Sequence, residues 1–298
     1  MSTSGSGSPY WRPMILLLDG YNLVFRSYYG MPALNRSDGF PTNAIHGWIR
    51  TLWHLQDREE TEAMIAFFDL GPSVREVAFA DYKQNRGEMP DDLRQQVPVI
   101  KELTALMGIP IVEAQGVEAD DLIASYAARY ASADNPVAIV SADKDLAQCL
   151  NPWVCQWLPP PTANPKLGWR ILEASGVVDK FGVGPDQIAD YLALVGDTAD
   201  NIPGVPGVGP KTAVKWLQDY GDLEGVIRKA NYLTPPRFQV LVGRHVEQLR
   251  LNRQLTVLRD DHEVAVDLEK GPDVPGLLTK LESLEMRKAC ADARQRYG

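Results

Sequence analysis

Cysteine and histidine are scarce, with three cysteines and four histidines in 298 residues. Cys149, Cys155 and Cys290 form no CxxC pair, and their odd number reads as buried free thiols rather than a redox or ligand set. His46, His54, His245 and His262 fall in no zinc spacing, so a metal site here must be built from oxygen. No run of about 20 apolar residues occurs that would span a bilayer. The first eight residues are rich in Ser and Gly and lack the basic start and apolar stretch of a signal peptide. They read as part of a disordered tail over residues 1–13, and a cytoplasmic protein without membrane contact is expected. Basic charge is also short. The net charge of −9 weighs against a polyanionic partner unless the acids are gathered in one place.

They are gathered. Met14-Ile15-Leu16-Leu17-Leu18 is a continuous apolar run ending in Asp19-Gly20. Ala63 to Phe68 repeats the pattern and ends in Asp69, and Val137 to Val140 does so again before Ser141-Ala142-Asp143-Lys144-Asp145. Short apolar runs of this kind predict strands buried on both faces, as in a parallel sheet. Helix-like segments lie between and after them, at Ala44–Gln56, Asp91–Met107, Ala119–Tyr130, Gly184–Val195 and Thr212–Asp219. Strands alternating with helices predict an α/β domain with a mostly parallel sheet, and ligands bind such sheets beyond the carboxyl ends of the strands. Three strands each deliver an aspartate there.

Glu118-Ala119-Asp120-Asp121 opens the helix that runs to Tyr130, with Glu118 and Asp121 on one face. Three acids in four residues exceed what a helix dipole needs and call for a compensating cation. Asp197 and Asp200 complete a set of nine with Asp19, Asp69, Asp143 and Asp145. Setting those nine aside leaves the rest of the chain with no net charge. Oxygen-only ligands select a hard ion, Mg²⁺ or Mn²⁺, and a cluster of this size suits two ions about 4 Å apart.

Basic and aromatic residues follow the acid-bearing strands: Arg26, Tyr28 and Tyr29 after the first, Tyr82-Lys83-Gln84-Asn85-Arg86 after the second. Arg and Lys hold phosphate oxygens and Tyr stacks on bases. Beyond Asp200, the stretch Gly204-Val205-Pro206-Gly207-Val208-Gly209-Pro210-Lys211-Thr212 is a glycine-rich turn opening a helix, a combination suited to a phosphate backbone. Past Tyr220 the text is plainer. Arg237–Gln254 reads as a helix, Leu255–Leu258 and Glu263–Leu268 as strand-like, Gly276–Tyr297 as a closing helix, and Trp153–Trp169, with its three consecutive prolines, as an irregular surface crossing.

Together these stretches resemble the 5′-nuclease (flap endonuclease-like) superfamily, in particular the 5′-3′ exonuclease domain at the front of bacterial DNA polymerase I. The matches are Leu18-Asp19-Gly20, Phe68-Asp69, Tyr82 to Arg86, Glu118 to Asp121, Ser141 to Asp145 and Gly196 to Ala213, in the family's order. The resemblance implies a PIN-like α/β nuclease domain over 14–183, with a helical arch at about 76–108. A helix–hairpin–helix DNA-binding region over 184–256 would follow, then return strands and a helix over 257–298. It implies metal-dependent hydrolysis of DNA at 5′ flaps, nicks or primer ends, as a monomer, with a separate DNA polymerase as functional partner. The metal acids it implies are Asp19, Asp69, Glu118, Asp120, Asp121, Asp143, Asp145, Asp197 and Asp200. Lys83, Arg86 and Arg26 take the phosphate-contacting roles. Tyr28, Tyr82, Gly204, Gly207, Gly209, Lys211 and Thr212 are candidates for DNA contact, and Ile202, Val205 and Val208 would offer backbone carbonyls to a potassium ion. Three rivals fit less well. A binding module would not gather nine acids, an aspartyl phosphatase would want a second Asp two residues after Asp19, and a PIN-type ribonuclease would lack the glycine-rich hairpin.

Overall fold

The computed structural model describes residues 13–298; the expected disordered tail lies, but for Pro13, outside the described residues. At its centre is β1 (Met14–Asp19), every residue of which is buried. It pairs in parallel with β2 (Thr61–Phe67) on one side and β4 (Val137–Val140) on the other. The sheet order is β3-β2-β1-β4-β5-β6, where β3 is Ile111–Val112, β5 is Val154–Leu158 and β6 is Arg170–Leu172; only β6 is antiparallel. Strand side chains alternate between faces, so the unbroken apolar run of β1 feeds two cores at once. Ile15 and Leu17 enter one core with Ile65, Phe67 and Ile139, while Met14, Leu16 and Leu18 enter the other with Met64, Ala66 and Val140. Each such Leu or Ile contributes about 1.5–3 kcal/mol by burial.

The second core is covered by α1 (Gly20–Gly30), α2 (Asn43–Gln56) and, after the short α3 (Val74–Ala78), by α4 (Asp91–Leu106). The first is covered by α5 (Ala119–Tyr130), α6 (Ala174–Phe181) and α7 (Ile188–Val195). After α7 come the two-stranded hairpin β7 (Gly196–Asp197) and β8 (Ile202–Pro203), then α8 (Pro210–Tyr220), α9 (Leu223–Arg228), α10 (Arg237–Arg244) and α11 (Val246–Thr256). Buried Asn252 on α11 donates to the carbonyls of Ala193 and Pro203, tying that helix to α7 and the hairpin. The chain closes with α12 (Val274–Ser283), packed against α4, and α13 (Arg287–Tyr297), whose Tyr297 hydroxyl accepts from Trp53 of α2.

Several expectations are corrected. Trp153–Trp169 is no surface crossing at its start, since β5 is wholly buried. Gln156 interrupts its apolar run, yet its amide donates to the carbonyls of Ser141 and Asp143 and so buttresses the loop after β4. Among the described residues no strand occurs at 255–268: Leu255 and Thr256 end α11, and the chain beyond lies along α5. There its backbone groups meet side chains rather than a strand partner, as where Tyr130 donates to the Val264 carbonyl. The expected return strands are therefore absent. The closing helix is two helices, turned at Glu285 with φ 59°. Likewise the helix expected at 237–254 breaks at His245 into α10 and α11. Within 76–108, α4 is a core helix, burying Leu93, Val97, Ile100 and Leu103; the chain between α3 and α4 is a run of turns.

Candidate metal centre and phosphate contacts

Parallel pairing sets Leu18 beside Ala66 and Val140, so the residues after β1, β2 and β4 emerge at one edge of the sheet. Asp19 caps α1 by accepting from the Asn22 amide at 3.2 Å and takes the Ser141 hydroxyl at 2.6 Å. Asp69 accepts from the Ala119 amide at 2.7 Å, which draws the start of α5, with Glu118 and Asp120, to the same edge. Asp143 takes the amide of Asp145 at 2.9 Å. Alongside, Asp145, Asp197 and Asp200 place carboxylate oxygens within 4.8 Å of one another. Asp197 belongs to β7 and Asp200 to the loop into β8, so the tight hairpin delivers both to one point. The site thus has two adjoining parts.

Its electrostatics follow from crowding. Burial pushes the Asp19 carboxyl up to about 7, with Asp143 and Asp69 adding repulsion against the two hydrogen bonds it accepts. Burial likewise raises Asp69, Asp120, Asp143 and Asp145, and neighbouring carboxylates add to it in each case. Glu118 goes the other way: burial works to raise it, but Lys83 and Arg75 outweigh that and hold it below its ordinary range. Among the described residues, four cations touch the nine acids. Arg75 reaches Glu118 at 3.2 Å and Asp121 at 2.7 Å, Lys83 reaches Glu118 at 2.9 Å, Arg86 reaches Asp200 at 2.6 Å, and Lys144 reaches Asp197 at 2.8 Å. The acids remain in excess, and Asp145 Oδ1 is buried without a hydrogen-bond partner among the described residues. An oxygen-only donor set with surplus negative charge and an orphaned carboxylate oxygen fits hard divalent cations.

Eight of the nine expected acids face this site. Asp121 is occupied differently: both its oxygens are held by Arg75, and one also accepts from the Arg259 amide. It fixes Arg75, which in turn orients Glu118. Lys83 and Arg86 lie against these acids, on Glu118 and Asp200. Tyr82 is not free to stack on a base; it is 6% exposed, its hydroxyl 3.3 Å from Glu118 and 3.5 Å from Asp200, between the two parts of the site. Arg26 lies apart from the acids, its nearest polar partner being the Thr162 hydroxyl at 3.5 Å. Tyr28 is half-buried against the helical core, and Tyr29 beside it is exposed.

In the turn, Gly207, with φ 77°, and Lys211 are exposed, Thr212 is half-buried and Gly209 precedes α8. Ile202, Val205 and Val208 bury their side chains and so pin the turn to the core. The Val205 amide donates to the Leu194 carbonyl, and the Val205 carbonyl accepts from Val208. Gly204 is explained by packing, since a Cβ there would lie 2.2 Å from the Val195 carbonyl oxygen. Gly204→Ala is expected to cost about 1–3 kcal/mol in denaturant unfolding, because the obstructing atoms are backbone and cannot rotate away; an unchanged midpoint would refute the close-packing account.

Two contributors escape a reading of the sequence. Arg75 sits in a helix announced by the Ser73–Glu76 capping box, a signal present in the text, but its partners lie 43 and 46 positions away. Lys144 lies inside the Ser141–Asp145 motif, where its neighbours drew attention instead.

An acidic centre at the carboxyl edge of a parallel sheet, contacted by lysine and arginine and followed by a hairpin and helix, defines a metal-binding nuclease class. Comparison narrows it. Residues 14–182 match the model of the 5′-3′ exonuclease N-terminal resolvase-like domain, and residues 183–274 match that of the 5′-3′ exonuclease C-terminal SAM fold. The chain belongs to the 5′-3′ exonuclease family and is a nuclease. It is 40% identical over 279 residues to the 5′-3′ exonuclease of Aquifex aeolicus, covering 92% of each chain. It is 35% identical to the thermostable DNA polymerase I of Thermus thermophilus over 274 residues, 91% of this chain but 32% of that one. In fold it is similar to the bacteriophage T5 flap endonuclease solved with DNA and metal ions, with TM-score 0.66, 21% identity and 94% and 98% coverage. The catalytic core of Rad2 with DNA substrate aligns at TM-score 0.62 and 16% identity, covering 93% of this chain and 90% of that one. Among the described residues no helix is long and apolar enough to cross a membrane.

Proposed function

We propose that this nuclease hydrolyses DNA phosphodiesters at 5′ flaps, nicks or primer ends, with Mg²⁺ or Mn²⁺ held by the acidic centre. The observation that carries the reading is that the segment between α3 and α4 lays a cation on each part of that centre: Lys83 on Glu118 and Arg86 on Asp200. Asp19, Asp69, Asp120 and Asp143 would hold one ion, and Asp145, Asp197 and Asp200 a second. When bound, such ions supply a water of lowered pKa and positive charge at the phosphate. The chain's own part is positional. Lys83 and Arg86 exchange their carboxylate partners for phosphate oxygens, bringing donors to the charge that develops there. Arg75 keeps Glu118 in place while this happens. The turn from Ile202 to Gly209, with Lys211 and the start of α8, holds the duplex backbone, and a K⁺ on the carbonyls of Ile202, Val205 and Val208 would strengthen that grip. Such contacts read no sequence, so specificity is for structure and affinity falls steeply with salt.

A 5′-flap duplex incubated with Mg²⁺ is expected to be cut, and with EDTA to remain intact; Asp69→Asn should lower the rate by about 100-fold or more. Undiminished cleavage by that variant would overturn the assignment, and cleavage of single-stranded RNA but not of the flap would move the protein to a ribonuclease role.

The raised carboxyl groups add a pH signature. Asp19 ionises near 3.8 when unfolded and near 7 when folded, so the folded chain binds the extra proton between those values. Stability contributed by that proton is present at the acid end and is lost as pH rises towards 7. In EDTA the melting temperature should therefore fall from pH 5 to pH 8, and saturating Mg²⁺ should remove the fall. A metal-free protein that gains stability over this range would contradict the crowded-carboxylate account.

A further inference from the structure

Arg26 is one wall of a cleft of about 420 Å³ formed by α1, α2 and the segment after β5. Thirteen residues line it, among them Arg26, Arg50, Tyr29, His54 and Trp169, and none is acidic. In a chain carrying 39 Asp and Glu against 30 Lys and Arg, a cleft with two arginines and no carboxylate is set apart. Neither guanidinium has an acidic partner among the described ion pairs: Arg26 approaches Thr162, and Arg50 approaches the Met31 sulfur at 3.8 Å. Burial alone lowers the pKa of Arg26, with no carboxylate compensating. Planar groups stand beside these charges. His54 and Trp169 are near parallel with centroids 5.8 Å apart, and Tyr29 is 65% exposed.

Its position relative to the acidic centre follows from α1. Asp19 caps that helix and Arg26 comes seven residues later, two turns along and within about 20° of the same face, roughly 10 Å away. A single strand leaving the acidic centre along α1 would meet the cleft directly.

We propose that this cleft binds a nucleotide, its phosphate on Arg26 and Arg50 and its base against Tyr29 and Trp169. Guanidinium groups match phosphate oxygens in a planar fork, and aromatic faces accept any base, so recognition is independent of sequence. The proposal rests on the nuclease reading for the source of the nucleotide, which is either a strand of the substrate or a released mononucleotide.

Titration calorimetry in EDTA separates the pieces, using 5′-phosphorylated tetrathymidylate, dTMP and inorganic phosphate as probes. Tetrathymidylate is expected to bind, with Arg50→Gln and Trp169→Leu each weakening it about tenfold or more. Arg50 is an exposed position on α2, so its variant should fold normally, and a melting curve checks the Trp169 variant. Binding of dTMP as tightly as tetrathymidylate identifies a site for released product; much weaker dTMP binding identifies a site for the strand. Both outcomes support the cleft. Tetrathymidylate binding unchanged in both variants, or inorganic phosphate binding as tightly as the nucleotides, overturns it. Asp69→Asn should leave this binding intact while impairing cleavage, so failure of the cleft and failure of the nuclease reading give different results.

Discussion

Lys83→Ala is expected to lower kcat on a 5′-flap substrate by about 100–1000-fold while changing KM little. The reason lies in how Lys83 is held. Its backbone adopts φ 58°, unusual for a residue with a side chain, and its amide donates to the Asp200 carbonyl at 3.0 Å. The same loop residue therefore fixes both a metal-type carboxylate and the lysine opposite it. Asn201, with φ 56°, adds two bonds to this docking, donating to the Asp81 carbonyl and accepting from Asn85. Strain of this sort persists only where surrounding contacts over-determine it. Nζ points inward: the side chain is 9% exposed and 2.9 Å from Glu118. Burial works to lower its pKa, but Glu118, Asp200 and Asp120 together outweigh burial and raise it, so the ammonium stays charged through neutral pH. In the proposed role, a cation held at the scissile phosphate acts mainly as charge builds in the transition state. Duplex grip, which the proposed reading assigns to the turn before α8, should survive. Single-turnover kinetics with Lys83→Ala and Lys83→Arg check this, the arginine variant retaining part of the rate. A loss confined to KM would make Lys83 a binding residue only.

Arg75→Ala should lower stability by about 3–5 kcal/mol. Arg75 is 11% exposed at its side chain and bonds Asp121 with two nitrogens, Glu118 with one, and the carbonyl of Val257 at 2.8 Å. Removing it leaves buried Asp121 without a cation and Glu118 with Lys83 alone, and breaks the bond that ties Val257 to α3. Burial works against the charged guanidinium, yet Asp121 and Glu118 more than compensate and raise its pKa. Denaturant unfolding in EDTA measures the loss. The double variant Arg75→Met with Asp121→Asn should lose less than the sum of the two single variants, because it removes the charge on both sides of the main contact. Strict additivity would show that the pair is not coupled.

The acid-bearing edge of the sheet was legible because the physics is local. A strand buried on both faces must be apolar throughout, so β1, β2 and β4 announce themselves, and the first polar residue after each marks where the strand leaves the core. Parallel pairing then sends all three ends the same way. β5 was illegible for the converse reason, since Gln156 breaks its run and is tolerated only because two loop carbonyls accept its amide. Residues 258–266 misled in the other direction. Their alternating apolar side chains do reach the core, but they pack on α5, and alternation alone does not say whether the neighbour is a strand or a helix.

By itself, then, the sequence determined the sheet edge, the oxygen-only donor set and the glycine-rich turn that follows Asp197 and Asp200, since each follows from residue type and short-range spacing. Tertiary structure alone decided the rest. It turned Asp121 towards Arg75, buried Tyr82 between the two parts of the centre, placed Lys83 on Glu118 through a contact with Asp200, and gave Arg26 a cleft without acids. These are pairings between residues far apart in the chain, chosen by which buried charges can be brought within bonding distance of an opposite charge. No spacing in the text encodes that choice.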